Sequence, residues 1–357
     1  KFPYIKIADE PSGVTLSRME KILDEIEPDI IIGGTSPPGS RGISVAPEQL
    51  AFQVARTRRI PSLSVIDYWL VQNRYDGHRE SERFKYLPNK IAALDEGHSK
   101  REMVEQGIPE EIIVPTGNPQ HDHLHTLKAG WSSEKTAMAK KEIGVPEKHR
   151  GKYLIALFSS VRDDMLDRDR DGYWDLQVID AVMRGIMALP EDRKSEIFLA
   201  MKNHPGEKPS VLEVFSSLVN SYSAPKSEGG YGLPVAFLDS GAHRLSIHPD
   251  EMPLAVDLSI APRSNLLIAG TLMDRDCISL QPERNFETGC PDPLITNRLD
   301  LTPHAYTTKE AIELIAGAIG NPDSFFIPYR ERRRNSGFNV DGKATERVIS
   351  LIEEMVR

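Results

Sequence analysis

The chain alternates amphipathic helices with short apolar strands that end in turns, and this alternation limits the folds open to it. A helical stripe covers residues 16–27 and stops at Pro28-Asp29. The apolar run 30–32 follows and leads into the glycine loop 33–36. A short strand that is apolar along its whole length is typical of a parallel sheet with helices on both faces. This succession therefore predicts βαβ units.

The same succession continues through two α/β series in tandem. The first series has predicted strands at 61–67, 90–95 and 112–114 and predicted helices at 47–58 and 97–106. The second has predicted strands at 153–158, 197–202, 235–238, 258–261 and 277–280, and predicted helices at 175–189, 211–222, 264–273, 309–317 and 344–356. Residues 126–151 lie between the two series, are charged, and are interrupted by glycine and proline, which is typical of a domain boundary.

Length and charge narrow the classes of function. The 357 residues are enough for two hydrophobic cores, and we expect domains at 1–130 and 152–340, a linker at 131–151 and a closing helix at 341–357. The net charge of −9 argues against a nucleic-acid partner, because binding to phosphates needs a lysine and arginine footprint. Since Lys1-Phe2-Pro3 is an unusual beginning, we also expect residues upstream on the N-terminal side.

The sequence predicts a cytoplasmic protein. Its apolar runs fall short of the roughly 18–20 residues that a membrane helix needs, and the start shows no signal peptide. Peripheral contact with a membrane stays open. The two cysteines, Cys277 and Cys290, belong to no CxxC pair, so we expect free thiols in a reducing compartment, with a disulfide as the alternative.

Polar clusters follow three strands of the second series, where ligands of open parallel sheets bind. They are Ser159-Ser160, Lys202-Asn203-His204-Pro205 and Arg263-Ser264-Asn265. A histidine beside a lysine can donate to a phosphate or protonate a leaving oxygen, and a serine-capped helix start offers amides to an anion. The three clusters together predict a site for a phosphorylated ligand. The alternatives are that Ser264 only caps its own helix and that His204 is a loop histidine.

Short motifs spread along the chain resemble those of the GT-B superfamily of glycosyltransferases and UDP-N-acetylglucosamine 2-epimerases. Pro28-Asp29 with the apolar run and glycine after it, and Thr116-Gly117-Asn118-Pro119 with Asp122, are similar to N-terminal motifs of that superfamily. Lys202-Asn203-His204-Pro205 resembles an element of bacterial sialyltransferases and CDP-glycerol glycerophosphotransferases, and Gly342-Lys343-Ala344-Thr345-Glu346-Arg347 resembles the opening of their last helix. The resemblance implies an α/β fold of GT-B type: two Rossmann-like domains that face a cleft, and a C-terminal helix that crosses back.

The resemblance also implies a function. It points to a metal-independent glycosyltransferase of surface-polysaccharide or glycoconjugate synthesis, with a nucleotide sugar as substrate, no required cofactor and a glycan or lipid-linked acceptor. His204 would assist departure of the donor phosphate, and the remaining donor-site residues would hold it: Ser159, Ser160, Lys202, Arg263, Ser264 and Asn265. A 2-epimerase of nucleotide sugars and a non-catalytic glycan- or partner-binding protein are the alternatives. The donor base and sugar, the retaining or inverting outcome and the oligomeric state stay open.

Candidates for the acceptor side lie in the first series. Asp95, at a strand exit, and Asp9, in a run similar to the acidic motif of sialyltransferases, are candidate catalytic bases, although Asp95-Glu96 could instead cap a helix. The residues expected to line the acceptor cleft are Gly34, Thr35, Asp67, Trp69 and Asn118. Because aromatic clusters are common in cores, a packing role for Trp69 is the alternative.

One segment has the spacing of a calcium loop. Asp167, Asp169 and Asp171 alternate with arginines, and Asp175 stands at the ninth position. The twelfth position is Val178 rather than the glutamate that such a loop needs. We therefore favour no metal and a solvated charged loop at this segment, with calcium as the weaker alternative.

Overall fold

The computed structural model describes residues 14–35, 45–69, 74–77, 80–159, 172–203, 209–238, 247–286, 294–338 and 340–357. The chain divides into two compact units. The first is drawn from Lys1–His123 and Val340–Arg357, and the second from Leu124–Asn339. Among the described helices, none combines the length and apolar character that crossing a membrane requires.

Each unit is built on a parallel sheet. The strands are β1 (Ile31–Gly33), β2 (Ser62–Val65), β3 (Lys90–Ala93), β4 (Ile113–Pro115), β5 (Tyr153–Phe158), β6 (Ile197–Lys202), β7 (Val235–Leu238), β8 (Leu258–Ala261), β9 (Cys277–Leu280) and β10 (His304–Ala305). The helices are α1 (Leu16–Ile26), α2 (Pro47–Arg58), α3 (Arg101–Glu105), α4 (Asp122–Ala129), α5 (Ser133–Glu142), α6 (Asp175–Met187), α7 (Glu191–Ser195), α8 (Pro209–Ser223), α9 (Met252–Ala255), α10 (Asn265–Leu272), α11 (Ile295–Arg298), α12 (Thr308–Gly320), α13 (Pro322–Asn335) and α14 (Ala344–Met355). The α/β class expected from the sequence is confirmed.

The first unit contains the C-terminal helix α14. Its sheet has the order β1-β2-β3-β4. On this sheet, Leu63 and Ala92 pack against Val348 and Leu351 of α14. The helix therefore crosses back to the unit in which the chain begins, as the fold class expected from the sequence requires.

Two of the short motifs meet where α14 begins. The carboxylate of Asp122 accepts hydrogen bonds from the backbone amides of Ala344 at 3.0 Å and Thr345 at 2.8 Å. Arg347 donates from Nε to the Thr116 carbonyl at 2.6 Å. Gly117 has φ +84°, and a Cβ there would lie 3.0 Å from the Cβ of Ala344, so this position requires glycine on both counts. The resemblance motifs thus hold the last helix to the first unit.

We expect Asp122→Ala to loosen α14. Burial disfavours its charged form, yet the hydrogen bonds from Thr345 and Ala344 outweigh burial and lower the pKa of Asp122. Loss of a capping carboxylate costs about 0.5–2 kcal/mol. Amide hydrogen exchange at Val348 and Leu351 should therefore accelerate, and less so in Asp122→Asn, which keeps one acceptor. Unchanged exchange in Asp122→Ala would show that the cap does not hold the helix.

The second unit has the strand order β10-β9-β8-β5-β6-β7, and its paired strands are all parallel. The chain starts this sheet in the middle with β5, adds β6 and β7 on one side, and then returns to add β8, β9 and β10 on the other. This is the order of a doubly wound Rossmann sheet, whose topological switch point lies between the first strand and the strand that begins the second half. Here that point lies between β5 and β8.

Several elements differ from the sequence prediction: the short elements α4, α7, α9, α11 and β10 were not predicted, and two longer segments also differ. Residues 131–151, predicted as a linker, contain α5 and belong to the second unit, with Ala139, Ile143 and Val145 buried. Only a few apolar residues anchor a segment that is otherwise charged, so its periodicity is weak. Helix α13 was not predicted at all, because Pro328 lies inside it and four arginines follow.

Ion pairs with distant residues stabilise α13, whose apolar periodicity is weak. Arg333 is only 4% exposed and contacts Asp274 at 3.2 Å and Asp276 at 3.3 Å. Arg330 also pairs with Asp276. The helix is therefore fixed by long-range charge contacts that no local sequence pattern reports.

Of the two cysteines, Cys277 lies in β9 and is fully buried as a free thiol. Burial raises the pKa of the Cys277 thiol to about 12, so it is unreactive near neutral pH. Cys290 lies outside the described residues.

Candidate functional site

The carboxyl ends of β5 and β6 bring two predicted residues side by side. Phe158 and Lys202 are register partners at the ends of these strands. One residue further on, the amide of Ser159 donates to the Lys202 carbonyl at 3.0 Å. The two polar residues therefore lie next to the topological switch point, where open α/β sheets bind their ligands.

A pocket lies at this edge of the second sheet. Its apolar side includes Met201, Phe215 and Phe237, and its polar side is formed by Ser159, Asp175, Lys202 and Asn203. Pro262, which follows β8, closes the side that faces the switch point. The open volume inside it is only about 10 Å³, roughly that of one water molecule, so these residues mark the edge of the sheet where a ligand would bind rather than a cavity already shaped for one.

The turn after β8 carries the third predicted cluster, Arg263-Ser264-Asn265. Ser264 is the N-cap of α10, and its Oγ accepts from the Leu266 amide at 3.2 Å. The capping role that the sequence left as an alternative is therefore the observed one. Arg263 is partly buried beside it, and Asn265 is the first residue of α10.

Buried polar side chains that sequence reasoning missed fix this turn. Ser279 Oγ donates to the Pro262 carbonyl at 2.8 Å. Asn297 Nδ2 donates to the same Oγ at 2.9 Å, and Gln281 Nε2 does so at 3.3 Å. All three residues are almost completely buried. The sequence offers one sign of these residues: Ser279 is a polar residue within an apolar strand, and Gln281 is a polar residue directly after it.

Several predicted site residues lie outside the described part of the chain. They are Ser160, His204, Asp9, Asp167, Asp169 and Asp171. Asp175, the ninth position of the calcium-like spacing, is described. It begins α6, is 5% exposed and lines the switch-point pocket.

The carboxyl edge of the first sheet gathers a polar cluster of its own. Thr35 Oγ1 donates to Asp67 Oδ1 at 3.0 Å, and Asn118 Nδ2 donates to the Asp67 carbonyl at 3.3 Å. The neighbouring Gly34 carbonyl accepts from Ser64 Oγ at 3.3 Å. Thr35 and Asn118 are buried, whereas Asp67 is exposed. Four of the five residues expected at the acceptor side thus come together.

Arg74 supports this cluster from a neighbouring loop. Its guanidinium donates to the Thr35 carbonyl, and its own carbonyl accepts from Gln49 Nε2 at 2.7 Å. Burial lowers the pKa of Arg74, and the negative charge of Asp67 opposes that shift. The cluster therefore brings a cation close to the Asp67 carboxylate.

Trp69 and Asp95 have structural roles. Trp69 is 3% exposed, and its Nε1 donates to Asp95 Oδ2 at 2.7 Å. The other oxygen of Asp95 accepts from the amides of His98 at 2.5 Å and Ser99 at 3.2 Å, so Asp95 caps the π-helical turn Glu96–Lys100. The two alternatives left open by the sequence, a buried aromatic and a capping carboxylate, describe what is observed.

Comparison with known proteins identifies the fold of the chain but does not establish its activity. No family model matches the chain, and no curated protein matches its sequence. Solved structures do match: the chain has the GT-B fold, with two Rossmann-like units.

Three of these structures illustrate the match. The S. aureus MnaA–UDP co-structure superposes with a TM-score of 0.58 at 13% identity, over 95% of this chain and 79% of that one. The UDP-GlcNAc 2-epimerase from Neisseria meningitidis, bound to UDP-GlcNAc, gives a TM-score of 0.57 at 13% identity, over 97% of this chain and 84% of its own. A glycosyltransferase from Rickettsia africae gives 0.54 at 14% identity, over 100% and 85%.

Proposed function

We propose that the protein is a glycosyltransferase of GT-B type, which transfers a sugar from a nucleotide-activated donor to a glycan or lipid-linked acceptor in the cytoplasm. The observation that carries this proposal is the pocket at the switch point of the second sheet. There Ser159, Lys202 and Asp175 line one small, largely apolar pocket at the carboxyl edge of the sheet. A cation, a hydroxyl and a carboxylate in one pocket match a ligand that has both phosphate and sugar hydroxyl groups.

Each polar group has a part in binding the donor. Lys202, with Ser159 and Arg263, would hold the phosphates, and their charge would stabilise the nucleotide as it leaves. The carboxylate of Asp175 would accept from hydroxyls, as an acidic residue does for ribose in dinucleotide-binding folds. Ser160, His204, Ser264 and Asn265 belong to the same proposal by their positions after these strands. Because lysine and arginine supply the charge, no metal ion or other cofactor is needed for this step.

For the acceptor we propose Asp67 as the general base, in place of Asp95. Both oxygens of Asp95 accept hydrogen bonds within the first unit. Asp67 is exposed and, within the part of the chain that the structure describes, its carboxylate accepts through one oxygen, from Thr35. In the reaction the carboxylate would take the proton of an acceptor hydroxyl. That oxygen would then bond to the anomeric carbon as the bond to the donor phosphate breaks. Asp9 remains a candidate from the sequence.

A second candidate is a nucleotide-sugar 2-epimerase. It is favoured by the likeness to the epimerase that was solved with UDP-GlcNAc bound. An epimerase changes its substrate without an acceptor, so one assay separates the two functions.

We expect proton NMR of the protein with UDP-, CMP-, GDP- and CDP-linked sugars to show free nucleotide accumulating only when an acceptor glycan is added. Conversion of a nucleotide sugar into its epimer without acceptor would replace the proposal by the second candidate. Binding without turnover over a broad acceptor panel would instead indicate a non-catalytic protein of the same fold.

A further inference from the structure

A second pocket lies at the opposite edge of the second sheet. It is lined by Lys152, Ser195 and Pro234. Lys152 directly precedes β5, Pro234 directly precedes β7, and Ser195 lies two residues before β6. The pocket therefore lies at the amino ends of three neighbouring strands. Since β6 has six residues, about 20 Å of strand separates it from the switch-point pocket. Its volume of about 440 Å³ is that of a small-molecule site.

The lining of this pocket is basic, although the whole chain is acidic. Its lining contains three lysines, Lys152, Lys194 and Lys226, and one acidic residue, Glu191. Glu191 lies 3.1 Å from both Lys194 and Lys226. The side chain of Lys152 makes no hydrogen bond or ion pair with any residue that the structure describes. The pocket therefore carries an excess of positive charge.

Glu191 is a weak competitor for these lysines. Its side chain is 71% exposed, as is 68% of that of Lys226, so their ion pair is largely solvated. A ligand phosphate has more acceptor oxygens and more charge than a carboxylate. It can therefore replace Glu191 between the two lysines while also reaching Lys152.

Two aromatic rings complete the lining. Tyr231 is 45% exposed and stacks on Tyr222, with ring centroids 5.0 Å apart. His149 stacks on Phe198 with centroids 5.2 Å apart. Burial and the charges of Lys152 and Lys148 lower the pKa of His149, so its imidazole is neutral at pH 7. An exposed ring held in place beside ammonium groups suits a planar group that bears a phosphate.

We propose that this pocket binds a phosphorylated aromatic ligand of nucleotide size, at a site separate from the donor site. The phosphate contacts Lys152, Lys194 and Lys226, and the planar ring stacks on Tyr231. The charges in the pocket predict opposite effects on binding for two substitutions. Removing the carboxylate of Glu191 should strengthen binding, whereas removing the ammonium of Lys152 should weaken it.

The test is a titration with phenyl phosphate at pH 7.5, followed through the ring resonances of His149, which are assigned with His149→Gln. Wild-type protein should show saturable shifts. Glu191→Gln should tighten binding and Lys152→Gln should weaken it about tenfold, the size of one charge-assisted hydrogen bond. Lys309→Gln, an exposed lysine on α12, is the matched control and should bind as the wild type does.

Two further measurements keep the proposal open to refutation. Tyr231→Ala should bind phenyl phosphate more weakly but leave inorganic phosphate binding unchanged, which separates stacking from charge. Lys202→Gln, which alters the proposed donor site, should leave the affinity for phenyl phosphate at this pocket unchanged. The result therefore stands even if the proposed donor site proves wrong. The proposal is overturned if shifts fail to saturate up to about 10 mM probe, or if Glu191→Gln weakens binding in a protein whose melting temperature is unchanged.

Discussion

Asp67→Asn is expected to lower the rate of sugar transfer by about 10²–10⁴-fold, the usual contribution of a general base. The side-chain amide of asparagine keeps the size of the carboxylate and still accepts from Thr35 Oγ1, but it cannot take a proton. The affinity for the donor should not change, because the groups proposed to hold the donor, Ser159, Lys202 and Asp175, stay in place. Steady-state kinetics with calorimetry of donor binding measures both quantities.

Asp95→Asn provides the contrast to this variant. Asparagine keeps one oxygen for the two backbone amides, but its amide nitrogen cannot accept from Trp69 Nε1, so the replacement removes a buried structural hydrogen bond. We expect a lower melting temperature for Asp95→Asn, in line with the loss of a capping carboxylate. If instead Asp67→Asn transferred sugar at the wild-type rate, Asp67 would not be the base.

Arg333→Met is expected to destabilise the second unit by about 3 kcal/mol, the lower end of the cost of breaking a buried ion pair. Asp276 has a side chain that is only 9% exposed, and Arg333 covers it at 3.3 Å. Without the guanidinium, that carboxylate stays buried with Arg330 as its remaining cation. Urea unfolding should show the loss as a lower midpoint with an unchanged slope.

A double variant tests this explanation. When Asp276→Leu is added to Arg333→Met, the buried charge is removed together with its partner, and apolar replacement of a whole pair is often neutral or stabilising. The double variant should therefore recover part of the lost stability, which a double-mutant cycle quantifies. A single-variant cost below about 1 kcal/mol would mean that the pair contributes no more than an exposed one.

Most of the sheet framework could be predicted from the sequence, because parallel strands in a covered sheet are short and wholly apolar. The runs that became β1, β5 and β6 are of this kind. The two longer segments that differ, α5 and α13, have weak periodicity. Each is stabilised by contacts far away in sequence, as Arg333 is by Asp274 and Asp276, and such contacts leave no local pattern.

The candidate site was predicted in part, for a related reason. Polar residues at strand exits are visible in the sequence, and the structure places Ser159 and Lys202 together at the switch point as expected. The partners of a carboxylate are not visible. For this reason the sequence left Asp95 open as either a base or a cap, and the structure shows the cap. Asp67 is the exposed carboxylate at the carboxyl edge of the first sheet. Ser279 and Asn297 were missed because buried polar residues resemble ordinary core positions.

The central claim is that the switch-point pocket of the second sheet binds a nucleotide-activated sugar, and isothermal calorimetry tests it most directly. UDP-GlcNAc and CMP-, GDP- and CDP-linked sugars are titrated into the wild type, Lys202→Gln and the exposed control Lys141→Gln. We expect at least one donor to bind the wild type and Lys141→Gln with equal affinity, and to bind Lys202→Gln with about tenfold lower affinity. Absence of binding by every donor, or equal affinity in Lys202→Gln, would contradict it.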